Sequence, residues 1–288
     1  MKLGTRGSAL ALAQAGTVAA AIEGCELETI TTSGDRGFDP SDDKERWVRE
    51  LDAALVDGRV ALAVHSAKDL PAKLEQGIVI AATPVRANPF DVLCGAESLA
   101  DLPQGARVGT SSVRRSAQLL ALRDDLQISE LHGNVDTRLA ALEGDEYEAI
   151  VIAMAGLERL GRADRAGSLL DQMIPAAGQG TLAITARAGD AESIALAFAL
   201  DDAATHRCLA AERALIDVLE ADCHTPVGAH ATTDGEAMTL AAFVGRTDGS
   251  AWLRDELTVS GSASTPEELG REVGSRMLAS GANEVLGR

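Results

Sequence analysis

For its first two thirds the chain alternates short apolar runs with amphipathic stretches, and the rhythm changes near residue 205. MKLGT predicts a strand, and the alanine-rich stretch 8–22 a helix with Ser8 near its N-terminus. A strand over 27–32, a polar loop SGDRGFDPSDDKE and a helix over 46–56 follow, then the strand RVALAVHS leads into AKDLP. DVLCG, ARVGT, LQISEL and AIVIAMAG read as further strands. SSVRRSAQLLALR and TRLAALE read as helices, the first with Ser111 and Ser112 at its start and the second after a turn at HGNVD. Alternating β and α elements predict mostly parallel, helix-covered sheets, and PAAGQGTLAITA can carry the chain back to the first of them. Beyond residue 205 come an amphipathic helix, HRCLAAERALIDVLEA, and the strands MTLAAFVG and AWLRDELTV around a turn at Asp248 and Gly249. The last helix opens with a capping box at Thr265, Pro266 and Glu268. The expected architecture is α/β: two doubly wound domains, 1–84 with 183–200 and 90–176, plus a small α+β domain over 205–288.

Composition narrows the class of partner. With 288 residues, 46% of them hydrophobic, the chain can bury two or three domain-sized cores. No apolar run reaches transmembrane length, and Arg6 interrupts the N-terminus too early for a signal peptide, so the expectation is a cytoplasmic protein without a membrane partner. A net charge of −18 repels nucleic acid and anionic membranes alike. Such an acidic surface suits concentrated salt, where a Debye length of about 3 Å at 1 M removes self-repulsion, so a halophilic setting is expected. The four cysteines, Cys25, Cys94, Cys208 and Cys223, lack the paired spacing of a zinc site, and no metal is expected.

Candidate chemistry lies where predicted strands hand over to helices. VGTSSVRRS puts glycine and small hydroxyl residues at such a turn, directly before Arg114 and Arg115. Backbone amides and the helix dipole favour an anion there, and two guanidiniums strengthen that preference; the alternative is an ordinary capped helix with solvated arginines. Arg6 in GTRGS, Lys68 after RVALAVHS, Arg138 in GNVDTRL and Arg159 in AGLERLG fall at comparable junctions. Ligands bind at the carboxyl ends of strands in doubly wound sheets, so these cations are expected to share one cleft. The implied substrate is small and carries several carboxylates, which arginine recognises through paired hydrogen bonds. Glycine spacings match neither a P-loop nor GxGxxG.

Asp69 among such cations stays ionised and can accept protons or steady developing positive charge, whereas in isolation AVHSAKDLP reads equally as a cap or a surface ion pair. His65 reads as a packed strand-end histidine. Cys223 stands beside His224 in ADCHTPVG, either as a passive loop thiol or as a nucleophile.

Seven blocks in order, GTRGSALALAQA, AVHSAKDLP, VGTSSVRRSAQL, GNVDTRL, AIVIAMAGLERLG, PAAGQG and AAERALIDVLEADCHTPVGAHA, make the chain resemble the porphobilinogen deaminase (hydroxymethylbilane synthase) family over nearly its whole length. The resemblance implies a three-domain transferase of tetrapyrrole biosynthesis, its first two domains similar to type II periplasmic binding proteins; a monomer is expected. It implies that porphobilinogen units are joined head to tail with loss of ammonia, on a dipyrromethane cofactor held by a thioether to a cysteine. That cysteine maps to Cys223, and the catalytic carboxylate to Asp69. Lys68, Thr110, Ser112, Arg114, Arg115 and Arg138 match positions that hold the cofactor's acetates and propionates; Arg6, Ser8 and Arg159 match positions facing substrate. A non-catalytic two-domain module for a polycarboxylate is the competing reading from the first two domains alone.

Two departures from the family pattern stand out. Where many members read LRGN this chain reads LHGN, placing His132 at a substrate-facing arginine position, so that its charge would vary near neutral pH. In place of a glycine-rich GKGLF, DDKERWVREL puts Lys44 and Trp47 where the family has lysine and phenylalanine, with Trp47 expected to cover the cofactor side.

Overall fold

A computed structural model describes residues 1–34, 47–144, 146–261 and 264–288; Lys44 lies outside them. The first sheet has the order β2-β1-β3-β9-β4, built from β1 (Lys2–Thr5), β2 (Glu26–Thr29), β3 (Leu62–Ser66), β4 (Ile78–Ala82) and β9 (Leu182–Arg187). The second, β5-β8-β6-β7, is built from β5 (Asp91–Cys94), β6 (Arg107–Gly109), β7 (Gln127–Ser129) and β8 (Ala149–Ala153). Helices α1 (Ala9–Ala20), α2 (Arg49–Val56) and α6 (Ala191–Phe198) accompany the first sheet; α3 (Val113–Leu122), α4 (Val135–Leu142) and α5 (Met154–Arg159) accompany the second.

Most strands in each sheet run parallel, as the βα alternation predicts, but each sheet contains one reversed strand. β9 runs antiparallel to both β3 and β4, and β5 antiparallel to β8. The cause is the double crossing between the sheets. The chain leaves the first sheet at the end of β4 and returns from the same side, so β9 enters where β4 left and points the other way. β5 likewise starts at the end where β8 finishes. The carboxyl ends of β1, β3, β6 and β8 therefore all face the crossings.

The third sheet is an antiparallel meander of β10 (Val227–Asp234), β11 (Ala237–Gly245) and β12 (Trp252–Val259), packed on α7 (Ala203–Val218) and α8 (Pro266–Ala279), with α9 (Ala282–Leu286) closing the chain. Thr265 accepts from the Glu268 amide while the Glu268 carboxylate accepts from the Thr265 amide, the capping box expected from sequence. Ala211, Leu215, Leu240 and Val273 are fully buried between these elements. Each buried aliphatic side chain of leucine or valine size contributes roughly 1.5–3 kcal/mol.

The third unit is fastened to the other two. Gly249, at φ 70°, turns the β11–β12 hairpin against α3; a Cβ there would lie 2.6 Å from that of Leu120. Glu212 of α7, completely buried, accepts from Arg86 of the outgoing crossing at 2.6 Å, from the Gly178 amide of the returning one at 2.6 Å and from the Ala231 amide of β10 at 2.8 Å. One carboxylate thus ties both crossings to the third sheet.

Candidate active site

Two cavities stand out, and the larger is not where the chemistry gathers. One of about 600 Å³ lies between residues 171–175 and the outer face of the third sheet, with Arg254 offset by Asp171, Asp255 and Glu256. The other, about 240 Å³, receives Lys68 and Asp69 from the first sheet, Ser112, Arg114, Arg115 and Arg138 from the second, and Cys223 from the third unit. Arg213 of α7 also lines it. Four of these cations come from the sequence-predicted set, and they surround the thiol and carboxylate picked out beside them.

The first wall is a single 3₁₀ turn, Ala67–Asp69, at the end of β3. Its seat is the returning crossing: Gly178, at φ 73°, has room for no side chain, since a Cβ there would sit 2.9 Å from Ala67 and the Lys68 amide nitrogen. Burial pushes the Lys68 ammonium down to about 8, against the opposing pull of Asp69 and Asp91. Below it, His65 Nε2 lies 3.0 Å from Thr185 Oγ1, and burial, with Arg6 nearby, lowers its imidazole to about 4, so it is a neutral packed residue.

The second wall is the N-terminus of α3. Ser112 caps it, accepting from the Arg115 amide, and Thr110 lies below, buried, with its hydroxyl accepting from the Ser112 amide at 3.2 Å. Arg114 and Arg115 are not the solvated arginines of the alternative reading. Only 5% and 6% of their side-chain surfaces are exposed, and both close on Asp91 of β5. Burial alone would raise the Asp91 carboxyl, but Arg114 and Arg115 hold it well below the usual carboxylate range. Arg138, at the start of α4, donates from Nε to the Gly133 carbonyl at 2.9 Å; burial, with Arg115 close by, lowers it to about 10.

The third wall is the loop after α7. Glu220 adopts φ 46°, a conformation that usually falls to glycine beyond a helix end, and turns the chain into this loop. Arg288 donates to the Leu219 and Glu220 carbonyls, satisfying that helix end. Asp222 Oδ1 accepts from the His224 amide at 2.9 Å and the Thr225 hydroxyl at 2.6 Å, folding the loop so that Cys223 is exposed beside the cleft.

The remaining predicted residues lie outside this group. Ser8 caps α1, accepting from the Ala11 amide. Arg6 lies 3.9 Å from the centre of the Trp47 ring, so Trp47 covers a predicted substrate residue and does not line the cavity with Cys223. Arg159 Nη2 donates to the Gly180 carbonyl at 2.7 Å, and His132 Nε2 lies 3.0 Å from Glu130. Sequence reasoning missed Asp91, Gln179, Glu212 and Arg213. An aspartate opening a buried strand, DVLCG, was the one local signal for Asp91.

The residues present fit a polycarboxylate anchored on sulfur. The cleft is lined by five cations against Asp69 and Asp222, with Asp91 buried behind Arg114 and Arg115, and Arg114 Nε is buried with no hydrogen-bond partner among the described residues. No three-residue metal-ligating group occurs among the described residues.

Comparison with known proteins places these features in a family context. Residues 1–195 match the model for the porphobilinogen deaminase dipyrromethane cofactor binding domain, and 206–279 that for the porphobilinogen deaminase C-terminal domain. Porphobilinogen deaminase of Deinococcus deserti is 44% identical, covering 99% of this chain and 97% of that protein. That of Rubrobacter xylanophilus is 45% identical, covering 99% and 96%. Among solved structures, a periplasmic substrate-binding protein from Coxiella burnetii is 17% identical with a TM-score of 0.44, covering 72% of this chain and 94% of that one.

Proposed function

The chain belongs to the porphobilinogen deaminase family, and we propose that it works through a dipyrromethane anchored on Cys223, with Asp69 as its catalytic carboxylate. The family activity is the deamination of porphobilinogen and its head-to-tail condensation to a linear hydroxymethylbilane. The observation that carries the assignment of residues is the convergence of one thiol, one half-buried carboxylate and a set of cations from three units on a single cleft.

When bound, the dipyrromethane supplies the nucleophilic pyrrole carbon on which the product is built. The protein's own work is to bind carboxylates and manage positive charge. Lys68, Ser112, Arg114, Arg115 and Arg138 pair with acetate and propionate groups, and Thr110 supports them by shaping the turn beneath Ser112. Asp69, beside Lys68 and near Arg138, faces the positive charge that develops as ammonia leaves the substrate. Arg6, Ser8, Arg159 and His132 serve the incoming unit and the growing chain. Cys223, on an exposed loop, is reached without opening a core.

The non-catalytic two-domain reading falls away, because it has no use for the matched C-terminal domain or the Cys223 loop. We read the enzyme as a cytoplasmic monomer, without nucleic acid or membrane partner, suited to concentrated salt. Supporting this are the net charge of −18 and the lack, among the described residues, of any helix long and apolar enough to cross a membrane. An unfolding midpoint unmoved by salt removal would refute the salt adaptation.

Intact-protein mass spectrometry tests the central claim. The purified chain should carry a dipyrrole that maps to Cys223 and colours with an aldehyde reagent. A chain that turns over porphobilinogen with an unmodified Cys223 would overturn the anchor.

A further inference from the structure

Asp91 begins β5, directly after the outgoing crossing, and its side chain is fully buried. Oδ2 accepts from Arg114 Nη1 at 2.8 Å; Oδ1 accepts from Arg115 Nε at 2.9 Å and from Gln179 Nε2 at 2.9 Å. Each guanidinium has a second fixed point, Arg114 on the Ile174 carbonyl at 3.1 Å and Arg115 on the Val151 carbonyl at 2.9 Å. Gln179 Nε2 also donates to the Pro89 carbonyl at 2.8 Å, while the Gln179 backbone carbonyl accepts from Arg86 Nε at 2.8 Å. A single carboxylate therefore joins two cations of α3, the strand after the outgoing crossing and a side chain of the returning one.

Two neighbouring guanidiniums on long, rotamer-rich side chains repel each other and do not hold a shared direction unaided. We propose that Asp91 is a positioning residue of the cofactor cradle, fixing both guanidiniums at the cleft wall and, through Gln179, holding that wall in register with the two crossings. This role rests on the reading of the cleft as the dipyrromethane site. Arg114 and Arg115 with Asp91 leave one net positive charge, to which Lys68 and Arg138 add. The wall attracts carboxylates while its own like charges stay in place.

The sign of one measurement separates positioning from mere charge balance. Asp91→Asn removes an anion from the wall, so charge alone would tighten binding of a polycarboxylate, whereas lost orientation would weaken it. Binding of mellitate (benzenehexacarboxylate) to the full, cofactor-free chain is to be measured from neutral to alkaline pH, with circular dichroism as the check on folding. The expected result for Asp91→Asn is an affinity about tenfold lower and a smaller fraction of chains carrying the dipyrrole by intact mass. The alkaline limb of binding should also move to lower pH. Lys68 faces Asp69 on its own turn, Arg114 and Arg115 from α3, and Asp91 from β5; without Asp91 its proton is held less firmly.

Gln179→Met keeps every charge, should weaken mellitate about fivefold and should leave the limb where it was. Parental or tighter binding by Asp91→Asn with an unmoved limb would overturn the proposal. If that variant does not fold, parental affinity in Gln179→Met would do the same. A parent chain without dipyrrole, in which Asp91→Asn still weakens mellitate, would sink the functional reading and leave the positioning role standing.

Discussion

The two sides of the cleft are held by opposite means. The arginine wall is part of the core: Arg114 and Arg115 are almost fully buried, held by Asp91 and by backbone carbonyls, and Glu212 secures the crossings behind them. The groups assigned to the reaction sit on short irregular pieces, Asp69 on a three-residue turn and Cys223 on an exposed loop. Recognition is built into the frame, while reactivity is mounted on its edge. Damage to the edge should abolish chemistry and spare folding, and damage to the frame should harm both.

The sharpest test removes the anchor. Cys223→Ala should lose the dipyrrole mass and all turnover, while its unfolding free energy stays within about 0.5 kcal/mol of the cofactor-free parent, as for an exposed side chain. Asp69→Asn should keep the adduct and fold normally, yet turn over about 10²–10⁴ times more slowly by steady-state bilane formation. Either variant unfolding at lower urea would break the contrast from the edge side.

From the frame side, Glu212→Gln leaves the Arg86 guanidinium without its carboxylate and should cost about 3–5 kcal/mol in urea unfolding, with a parallel loss of dipyrrole. A smaller effect sharpens the point, because Asp52 is a buried carboxylate near Glu75 with no cation paired to it among the described residues. Burial, with Glu75, raises it to about 6 from 3.8. The folded chain then binds the extra proton between those values, so stability falls as pH rises through that window, and the cost persists above it. Asp52→Asn should gain about 2 kcal/mol in thermal unfolding at neutral pH and nothing near pH 4. An equal gain at both would mean the charge is not the cause.

What could be read in the sequence was what is local or one-dimensional. Ser112 and Thr265 announce their helix starts because capping involves residues only three apart. Arg114, Arg115 and Lys68 are recognisable as strand-end cations. Their counter-ion was not, since Asp91 lies more than twenty residues away and reads as an ordinary strand start. The reversed direction of β9 depends on where the chain re-enters, which periodicity does not encode. β4, β10 and the short helices α5, α6 and α9 were not predicted as elements: β10 ends in the polar run HATTD, α5 begins inside the apolar run AIVIAMAG read as a strand, and α6 lies among glycine and aspartate breakers.

Glu212 also bears on how far the chain can be divided. Its three partners belong to the outgoing crossing, the returning crossing and the last sheet, so a cut after the second sheet would strand the Arg86 charge in an interior built to neutralise it. The molecule is modular in outline and indivisible in practice. A minimal version made of the two cleft-forming lobes would need an apolar residue at position 86 before it could be expected to hold together.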